Sequence, residues 1–339
     1  MEQIKTSWED RRAATLKDVA RLVGISEATA SVVLNGARSG TRVSATTRRA
    51  VVDAAAHLGY RPNSVARALQ AGRNHRIGIY SGRSKLDARN LFYAEVLGGM
   101  CEAACEQGAN IMMHTAGDSP EKLLELTSSA ALDGLIVHAG NDDPIMPLLM
   151  ELRAPAIWVA DRISGLPSVG VDDVQGGRLQ AEHLAEKGHR HVLYKQTPSS
   201  AQSAVDRRDA FLIRAEELGI RSTIRSEIRY DLPFDEGDLQ LLTSGRNRAT
   251  AFVAWHDRAA EVACGALVAA GLRVPEDVAV IGFDGFRSYY APKFSLTTVR
   301  APWSQVGRVA VELLAALVRG ETVPHHTSLP VEFAAGATT

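Results

Sequence analysis

The chain is poor in cysteine and contains no long apolar run. Its three cysteines, Cys101, Cys105 and Cys264, do not have the spacing of metal ligands. An odd number of thiols without that spacing predicts reduced cysteines, a cytoplasmic protein and no metal site. No stretch of about eighteen consecutive apolar residues is present, which argues against a membrane span. Charged residues 2–12 precede no apolar stretch of the secretory type, so we expect no export.

Motifs of phosphate binding and nucleophilic catalysis are also missing. No Gly-x-Gly-x-x-Gly sequence opens a helix after the first predicted strand, and neither a Gly-Lys-Ser/Thr loop nor a nucleophile elbow is found. His256, Asp257 and Asp284 imitate an acid–base cluster, but no nucleophile or metal set joins them. We therefore expect no cofactor and no catalysis, and an α/β enzyme without a recognisable motif stays as an alternative.

Charge is unevenly distributed along the sequence. Residues 1–76 contain 13 lysines and arginines against 6 acidic residues, a net charge of +7, and the rest of the chain carries −8. A small basic segment joined to a larger acidic one indicates a nucleic-acid-binding module attached to a domain with another task. A solvated basic tail is the alternative, and the helical pattern within the segment favours the module.

Residues 14–36 have the pattern of two short helices joined by a tight turn. The apolar positions have the spacing of two helices that pack at a steep angle, and Ser26 is a suitable N-cap for the second. These positions are Val19, Ala20, Val23, Ile25, Ala30, Val33 and Leu34. A helix presented in this way is a common reader of the DNA major groove, so the pattern points to gene control.

A third helix and a linker follow this pair. Ser44 can cap the helix and Gly59 can end it, with an apolar face formed by Val51, Val52, Ala55 and Leu58. Pro62 then breaks the helical pattern, and Asn63 can cap a new helix of about two turns. A helix this short is marginal alone, so we expect it to form only in contact with something else.

Beyond residue 76 short apolar strands alternate with amphipathic helices. We predict strands at 77–80, 111–114, 134–138, 157–160, 191–195, 251–255 and 278–283. We predict helices at 92–107, 120–130, 174–187, 207–218, 258–270 and 302–319. This alternation indicates parallel sheets covered on both faces. One small sheet would not need this many strand–helix units. We therefore predict two α/β subdomains with a cleft between them.

An ordered set of motifs resembles the lactose-repressor/galactose-repressor (LacI/GalR) family of bacterial transcription regulators. The resemblance runs from Thr15 to about Phe333, in the family's order. It is carried by the first helices, Asn35-Gly36, Val43-Ser44, Gly59-Tyr60-Arg61-Pro62-Asn63, Ala66-Arg67-Ala68-Leu69, Asp133-Gly134-Leu135-Ile136, Gly188-His189-Arg190, Val280-Ile281-Gly282-Phe283-Asp284 and Leu296-Thr297-Thr298-Val299-Arg300.

The resemblance implies an α/β protein with an all-α helix-turn-helix head and a two-lobed body like a periplasmic binding protein. The head would span 1–61, the hinge helix or linker 62–73 and the effector-binding and dimerisation body 74–339. One lobe would combine about 74–173 with 301–328, and the other 174–300 with 329–339. Since no heptad tail follows Phe333, we expect a homodimer that binds double-stranded operator DNA and no membrane.

On this resemblance the second helix contacts base edges and the linker enters the minor groove. Glu27 either accepts from a cytosine amine or only stabilises the helix N-terminus, and Ala28 or Val32 touches a thymine methyl. Leu69 either forms a wedge between base pairs or packs on the body. The predicted DNA-binding residues are Thr15, Ser26, Glu27, Ala28, Thr29, Ser31, Val32, Arg38, Arg42, Asn63, Ala66 and Leu69.

The cleft would bind a small polar effector: a sugar, sugar acid, polyol or nucleoside. The predicted effector-binding residues are Phe92, Tyr93, Asp161, Asp172, Ser203, Arg207, Trp255, His256 and Asp284. We place Arg207 at the start of a helix and interpret Asp257 as a structural residue, either a helix cap or a partner in a strand-end hydrogen bond. His256 either recognises a carboxylate when protonated or only orders Asp284 or Asp257. Cleft closure would change the spacing of the dimer's lobes and the order of its linker. A cytosolic solute-binding protein is a further alternative.

Overall fold

The chain forms two compact units, Met1–His75 and Arg76–Thr339, called the head and the body below. The computed structural model describes residues 14–35, 43–61, 75–82, 90–114, 125, 131–140, 143–152, 155–163, 165–197, 201–226, 233–286 and 294–339. The predicted linker at 62–73 and the predicted helix at 120–130, apart from Glu125, lie outside these residues. No helix among the described residues is long and apolar enough to cross a membrane.

Three helices make up the described part of the head. They are α1 (Leu16–Val23), α2 (Glu27–Asn35) and α3 (Ala45–His57). Gly24 ends α1 in the left-handed conformation at φ 73°, which glycine adopts without steric cost and which permits the tight turn into α2. Ser44 caps α3 as predicted, because its hydroxyl accepts from the backbone N–H of Thr47 at 3.1 Å.

A small apolar core holds these three helices together. Val19 of α1, Ala30 of α2 and Val51 of α3 are buried against one another's helices. Val52, which the sequence pattern placed on the buried face of α3, is 50% exposed, and Ala54 is buried instead. The contact face of α3 is therefore rotated from the predicted one. It includes the small residues Ala54 and Ala55, which permit close packing against the other two helices.

The described part of the body contains two six-stranded sheets. Their strands are β1 (Arg76–Ser81), β2 (Asn110–Met113), β3 (Gly134–His138), β4 (Ala156–Val159), β5 (Ser168–Val171), β6 (His191–Gln196), β7 (Arg221–Ser226), β8 (Ala251–Ala254), β9 (Ala279–Asp284), β10 (Thr297–Arg300), β11 (His326–Leu329) and β12 (Glu332–Ala334). Lobe 1 has the strand order β11-β5-β4-β3-β1-β2, with all strands parallel, and lobe 2 has the order β12-β10-β9-β8-β6-β7. In lobe 2 only β12 pairs antiparallel among these strands.

Helices cover both sheets. Lobe 1 carries α4 (Leu91–Glu106), α5 (Ile145–Leu152) and α10 (Trp303–Val318). Lobe 2 carries α6 (Asp173–Glu186), α7 (Gln202–Glu217), α8 (Glu236–Thr243) and α9 (Asp257–Ala269). The chain passes between the lobes after β5, after β10 and after β11. Parallel strands place their carboxyl ends at one edge of each sheet, where binding sites of such folds lie.

The sequence pattern missed several short or exposed elements. β7 is an edge strand with mostly exposed residues, so it lacks the apolar run by which buried strands are recognised. α8 has only eight residues, and its signal was the capping box that Asp235 and Asp238 form. The predicted start of α7 at Arg207 was wrong. The helix begins at Gln202, and Arg207 lies within it.

Candidate functional site

The second head helix presents a small, weakly polar outer surface. Glu27 and Ala28 are exposed, while Ser31 and Val32 are partly exposed. A carboxylate and methyl groups provide one acceptor type and apolar contacts for base edges. The outer surface of α2 therefore offers little hydrogen-bond donation from these side chains.

Several hydroxyls predicted to contact DNA serve at the helix ends. Thr15 caps α1, and its hydroxyl donates to Asp18 Oδ2 at 2.6 Å. The Ser26 hydroxyl accepts from the backbone N–H of Thr29 at 3.2 Å and lies 2.9 Å from the Thr29 hydroxyl. These caps fix the orientation of α1 and α2. The predicted contacts Arg38, Arg42, Asn63, Ala66 and Leu69 lie outside the described residues.

In the body, Arg207 is surrounded by protein partners. Its Nε and Nη2 donate to Asp173 Oδ1 at 3.0 and 2.6 Å, and its Nη1 donates to the Trp255 carbonyl oxygen at 2.6 Å. The guanidinium carbon lies 3.2 Å from the centroid of the Phe283 ring. Burial raises the pKa of Asp173 to about 6, and Arg207 opposes this rise. Arg207 thus holds α6, α7 and the end of β8 together, and its charge is matched within the protein.

His256 is the N-cap of α9. Its Nδ1 accepts from the backbone N–H of Ala259 at 2.8 Å, and its ring lies 4.1 Å from the Trp255 ring, measured between centroids. Burial lowers the pKa of His256 to about 4, so the imidazole is neutral near pH 7. With Nδ1 as an acceptor, the neutral ring carries its proton on Nε2. Asp257 is the first residue of the helix and not its cap, and of the two structural roles expected for it the strand-end hydrogen bond is the one observed, because Asp257 accepts from the Gly285 N–H.

Asp257 and Asp284 form a buried acidic pair at the carboxyl end of β9. Asp257 accepts from the Gly285 N–H at 2.7 Å and from the Thr298 hydroxyl at 2.5 Å. Asp284 accepts from Trp303 Nε1 at 3.0 Å. Burial raises the pKa of Asp257 to about 6, and burial together with the charge of Asp257 raises the pKa of Asp284 well above its usual range. Asp284 therefore holds its proton more strongly than an ordinary carboxyl group.

An aromatic cluster lies at the start of α4. The Phe92 ring packs edge-on against Trp303 of α10, with 4.9 Å between the ring centroids. The Tyr93 hydroxyl lies 2.8 Å from Ser81 Oγ and 3.0 Å from His138 Nδ1. Trp303 connects this cluster to Asp284 through its indole N–H. Phe92 and Asp284, which belong to different lobes, are thus brought together through a residue that the sequence prediction missed.

The remaining predicted residues lie around a second position. Asp161 accepts from the Ser203 N–H at 3.0 Å, and Asp172 caps α6 by accepting from the Gln175 N–H at 2.8 Å. Asp161, Asp172 and Ser203 line a cavity of about 150 Å³. A larger cavity of about 750 Å³ is lined by Asp284, Trp303 and Arg300, among others. Only the larger one has the volume of a small-molecule site.

Sequence reasoning missed Asp173, Phe283 and Trp303. Asp173 directly follows Asp172 and directly precedes the helix predicted at 174–187, and Trp303 follows a proline at the start of a predicted amphipathic helix. Their places next to predicted helix starts were the sequence signals by which these two residues could have been found. The contacts of Phe283 with Arg207 had no sequence signal, because they depend on the packing of α7 over the end of β9.

The head and body each match a known family model. Residues 15–63 match "Bacterial regulatory proteins, lacI family", and residues 181–339 match a "Periplasmic binding protein-like domain". The chain is 32% identical over 331 residues to the HTH-type transcriptional regulator CelR of Thermobifida fusca, covering 93% of this chain and 94% of the relative. It is 29% identical over 333 residues to the HTH-type transcriptional repressor PurR of Aliivibrio fischeri, covering 90% and 92%.

Solved structures give the same result. A Lac repressor dimer bound to operator and the anti-inducer ONPF is 26% identical, with a TM-score of 0.81, covering 96% of this chain and 99% of that one. A CelR–cellobiose complex is 27% identical, with a TM-score of 0.66, covering 96% and 100%. The arrangement is a DNA-binding head joined to a two-lobed binding body, and the chain belongs to the LacI family of bacterial regulatory proteins. It is a transcriptional regulator rather than an enzyme.

Proposed function

We propose that this protein is a repressor that binds a palindromic operator as a homodimer and releases or engages it in response to an uncharged sugar. In this proposal repression takes place on cytoplasmic DNA. The nine predicted effector contacts are the residues that the sugar would reach. The dimer form is supported by the Lac repressor neighbour, which is a dimer on its operator. A two-fold dimer presents two identical reading helices, so its site has matching half-sites.

The main observation in favour of an uncharged effector is that Asp173 already neutralises the charge of Arg207. Arg207 is the permanently charged cation among the predicted effector contacts, and Asp173 already pairs with it at 2.6 Å. His256 is neutral near pH 7 because burial lowers its pKa to about 4. A sugar acid would therefore lack a matching charge on these two groups. The hydroxyls of an uncharged sugar can instead bond to Asp284, and its ring can pack on Trp303. The CelR–cellobiose complex makes cellobiose the first sugar to test.

A thermal-shift experiment on the full chain tests the effector. Cellobiose, glucose, gluconate, sorbitol and adenosine are compared at equal concentration, each with the wild type and with Asp284→Ala. A neutral saccharide is expected to raise Tm, since a ligand at about 100 times its Kd stabilises by about 2.7 kcal/mol. Gluconate is expected to have no effect, and the shift should disappear in Asp284→Ala. A shift by gluconate alone, or one that survives the substitution, contradicts the proposal.

Selection from a random DNA pool tests the operator. The full-length protein is expected to enrich a two-fold symmetric sequence, and a reporter gene placed behind that sequence should be repressed. Addition of the stabilising sugar should change the affinity for the selected DNA. Enrichment of sites without symmetry, or activation of the reporter, would argue against a dimeric repressor.

A further inference from the structure

Among the described residues, helix α7 has no side-chain cap from its own chain segment. Its N-cap residue is Ala201, which has no side-chain hydrogen bond at the helix start. The caps of α6, α8 and α9 are the side chains of Asp172, Asp235 and His256. The first N–H groups of a helix need acceptors, and carboxylates are favoured there. The N-terminus of α7 is therefore a place for a carboxylate from elsewhere.

That carboxylate comes from the other lobe. Asp161 follows β4 of lobe 1, is 2% exposed, and accepts from the Ser203 N–H in the first turn of α7 at 3.0 Å. Its Oδ1 also accepts from the Arg162 N–H at 2.9 Å, which holds the carboxylate in place. Lobe 1 thus supplies the missing cap of a lobe 2 helix.

The backbone before Asp161 is held in a strained conformation that directs this contact. Ala160 has φ 61°, in the left-handed region that L-residues with a Cβ rarely adopt. Such residues persist where the surrounding structure over-determines them. At this position the turn brings Asp161 out of the line of β4 and towards α7.

A second contact joins the neighbouring residues of the same two segments. Arg162 forms an ion pair with Asp206 of α7. Gln202 Nε2 donates to Asp206 Oδ1 at 2.8 Å, which fixes the carboxylate for this pair. The two lobes are therefore in contact without a ligand, through Asp161, Arg162, Ser203 and Asp206. We call this contact the latch.

We propose that the latch holds the two lobes of the body together in the absence of effector. The Asp161–Ser203 contact uses two positions at which an effector is expected to bind, and the cavity behind it, at about 150 Å³, is too small for a disaccharide. An effector that reaches these groups must replace the self-contact. The latch is thus an internal competitor that sets how easily the cleft opens.

Hydrogen exchange of the ligand-free, full-length protein tests the latch. The amides at the start of α7, residues 202–206, are followed in the wild type, Asp161→Ala, Arg162→Asp and the charge-reversed pair Arg162→Asp/Asp206→Arg. Loss of the cap or of the ion pair is expected to accelerate exchange by about fivefold, and the reversed pair should restore the Arg162→Asp rate to within about twofold of the wild type. Because neither sugar nor DNA is present, failure of the proposed function does not affect this result.

Arg214→Asp is the matched control. Arg214 lies on α7, the helix whose first amides are followed, and Arg214→Asp changes the charge by the same amount as Arg162→Asp. Arg214, however, pairs with Glu182 and Glu217 within lobe 2. Exchange in α10, followed in the same samples, reports whether a variant is still folded. Unchanged exchange at 202–206 in both Asp161→Ala and Arg162→Asp overturns the proposal. Equal acceleration by Arg214→Asp does so as well, because the effect would then follow from charge rather than from contact between lobes.

Discussion

His256 shows how one residue combines a structural and a chemical property. Its Nδ1 caps α9, and burial lowers its pKa to about 4. We expect His256→Ala to lower the free energy of unfolding by about 1 kcal/mol, since a helix loses its cap. His256→Asn should retain most of the stability, because asparagine is a good N-cap. Urea denaturation at pH 7 measures both, and an equal loss in the two variants would show that capping is not the role of this residue.

The acidic pair Asp257 and Asp284 predicts a specific pH dependence. An unfolded carboxyl group titrates near pH 4, whereas burial raises the pKa of Asp257 to about 6 and that of Asp284 well above its usual range. Protonated Asp257 thus contributes stability that is complete below about pH 4 and is lost as the pH rises through 6, and the raised pKa of Asp284 acts in the same direction. Asp284→Asn should flatten this loss and raise the free energy of unfolding at pH 7.5 by about 1 kcal/mol.

Chemical denaturation at several pH values between 5 and 7.5 measures this effect. Asp277→Asn is the control, because Asp277 is a partly exposed carboxylate whose pKa is lowered by its hydrogen bonds with Arg273. The control should be less stable than the wild type at pH 7.5, opposite in sign to Asp284→Asn. A wild-type protein whose stability rises steadily from pH 5 to 7.5, with Asp284→Asn parallel to it, would refute the expected coupling.

At the scale of elements, α4 and α10 pack closely because each presents a glycine to the backbone of the other. A Cβ on Gly99 of α4 would lie 1.8 Å from the Ser304 carbonyl oxygen, and one on Gly307 of α10 would lie 2.0 Å from the Val96 carbonyl oxygen. These partners are backbone atoms, which move only with their helix. The two glycines therefore set the distance between the helices that carry the Phe92–Trp303 contact.

Adjacent glycines of α4 provide a matched test. Gly99→Ala should destabilise the protein by about 1–3 kcal/mol, because the added methyl forces the helices apart. Gly98→Ala should stabilise it by up to about 1 kcal/mol, because a Cβ at this exposed position meets no atom within 4 Å and alanine favours the helix. Thermal or urea denaturation measures both. Equal effects in the two variants would contradict close packing at Gly99.

At the scale of the whole molecule, the opposite charges of its two parts predict that the basic N-terminal part provides the salt-dependent attraction to DNA. Residues 1–76 carry a net charge of +7 and the rest −8. Arg42→Ala should weaken binding to all DNA and reduce the salt slope by about 1, as expected for one lost phosphate contact.

Leu69→Ala should weaken binding to the selected operator much more than to random DNA, because a wedge acts on a deformable site. Titrations over a range of salt concentrations measure both, and equal losses on the two DNAs would rule out the wedge.

Much of the fold follows from the order of motifs, and the errors have physical causes. The parallel sheets were predicted because buried strands have apolar runs, and the first head helices because their caps are local. The start of α7 was placed too late, because its cap is Asp161, which comes from the other lobe and lies 42 residues earlier. Arg207 was predicted as a ligand contact, a role that still awaits a test. Its pairing with Asp173 was not foreseen, because it depends on two helices meeting.

The amino-acid sequence by itself determined the class of the protein, its basic head and its alternating strands and helices, since these depend on composition, periodicity and local capping. Only the tertiary structure decided the state of the groups in the cleft. The pairing of Arg207, the neutral His256, the raised pKa of Asp284 and the contact of Asp161 with α7 all arise from burial and from the meeting of distant segments. Charge and proton affinity depend on this environment, so residue types alone do not define them.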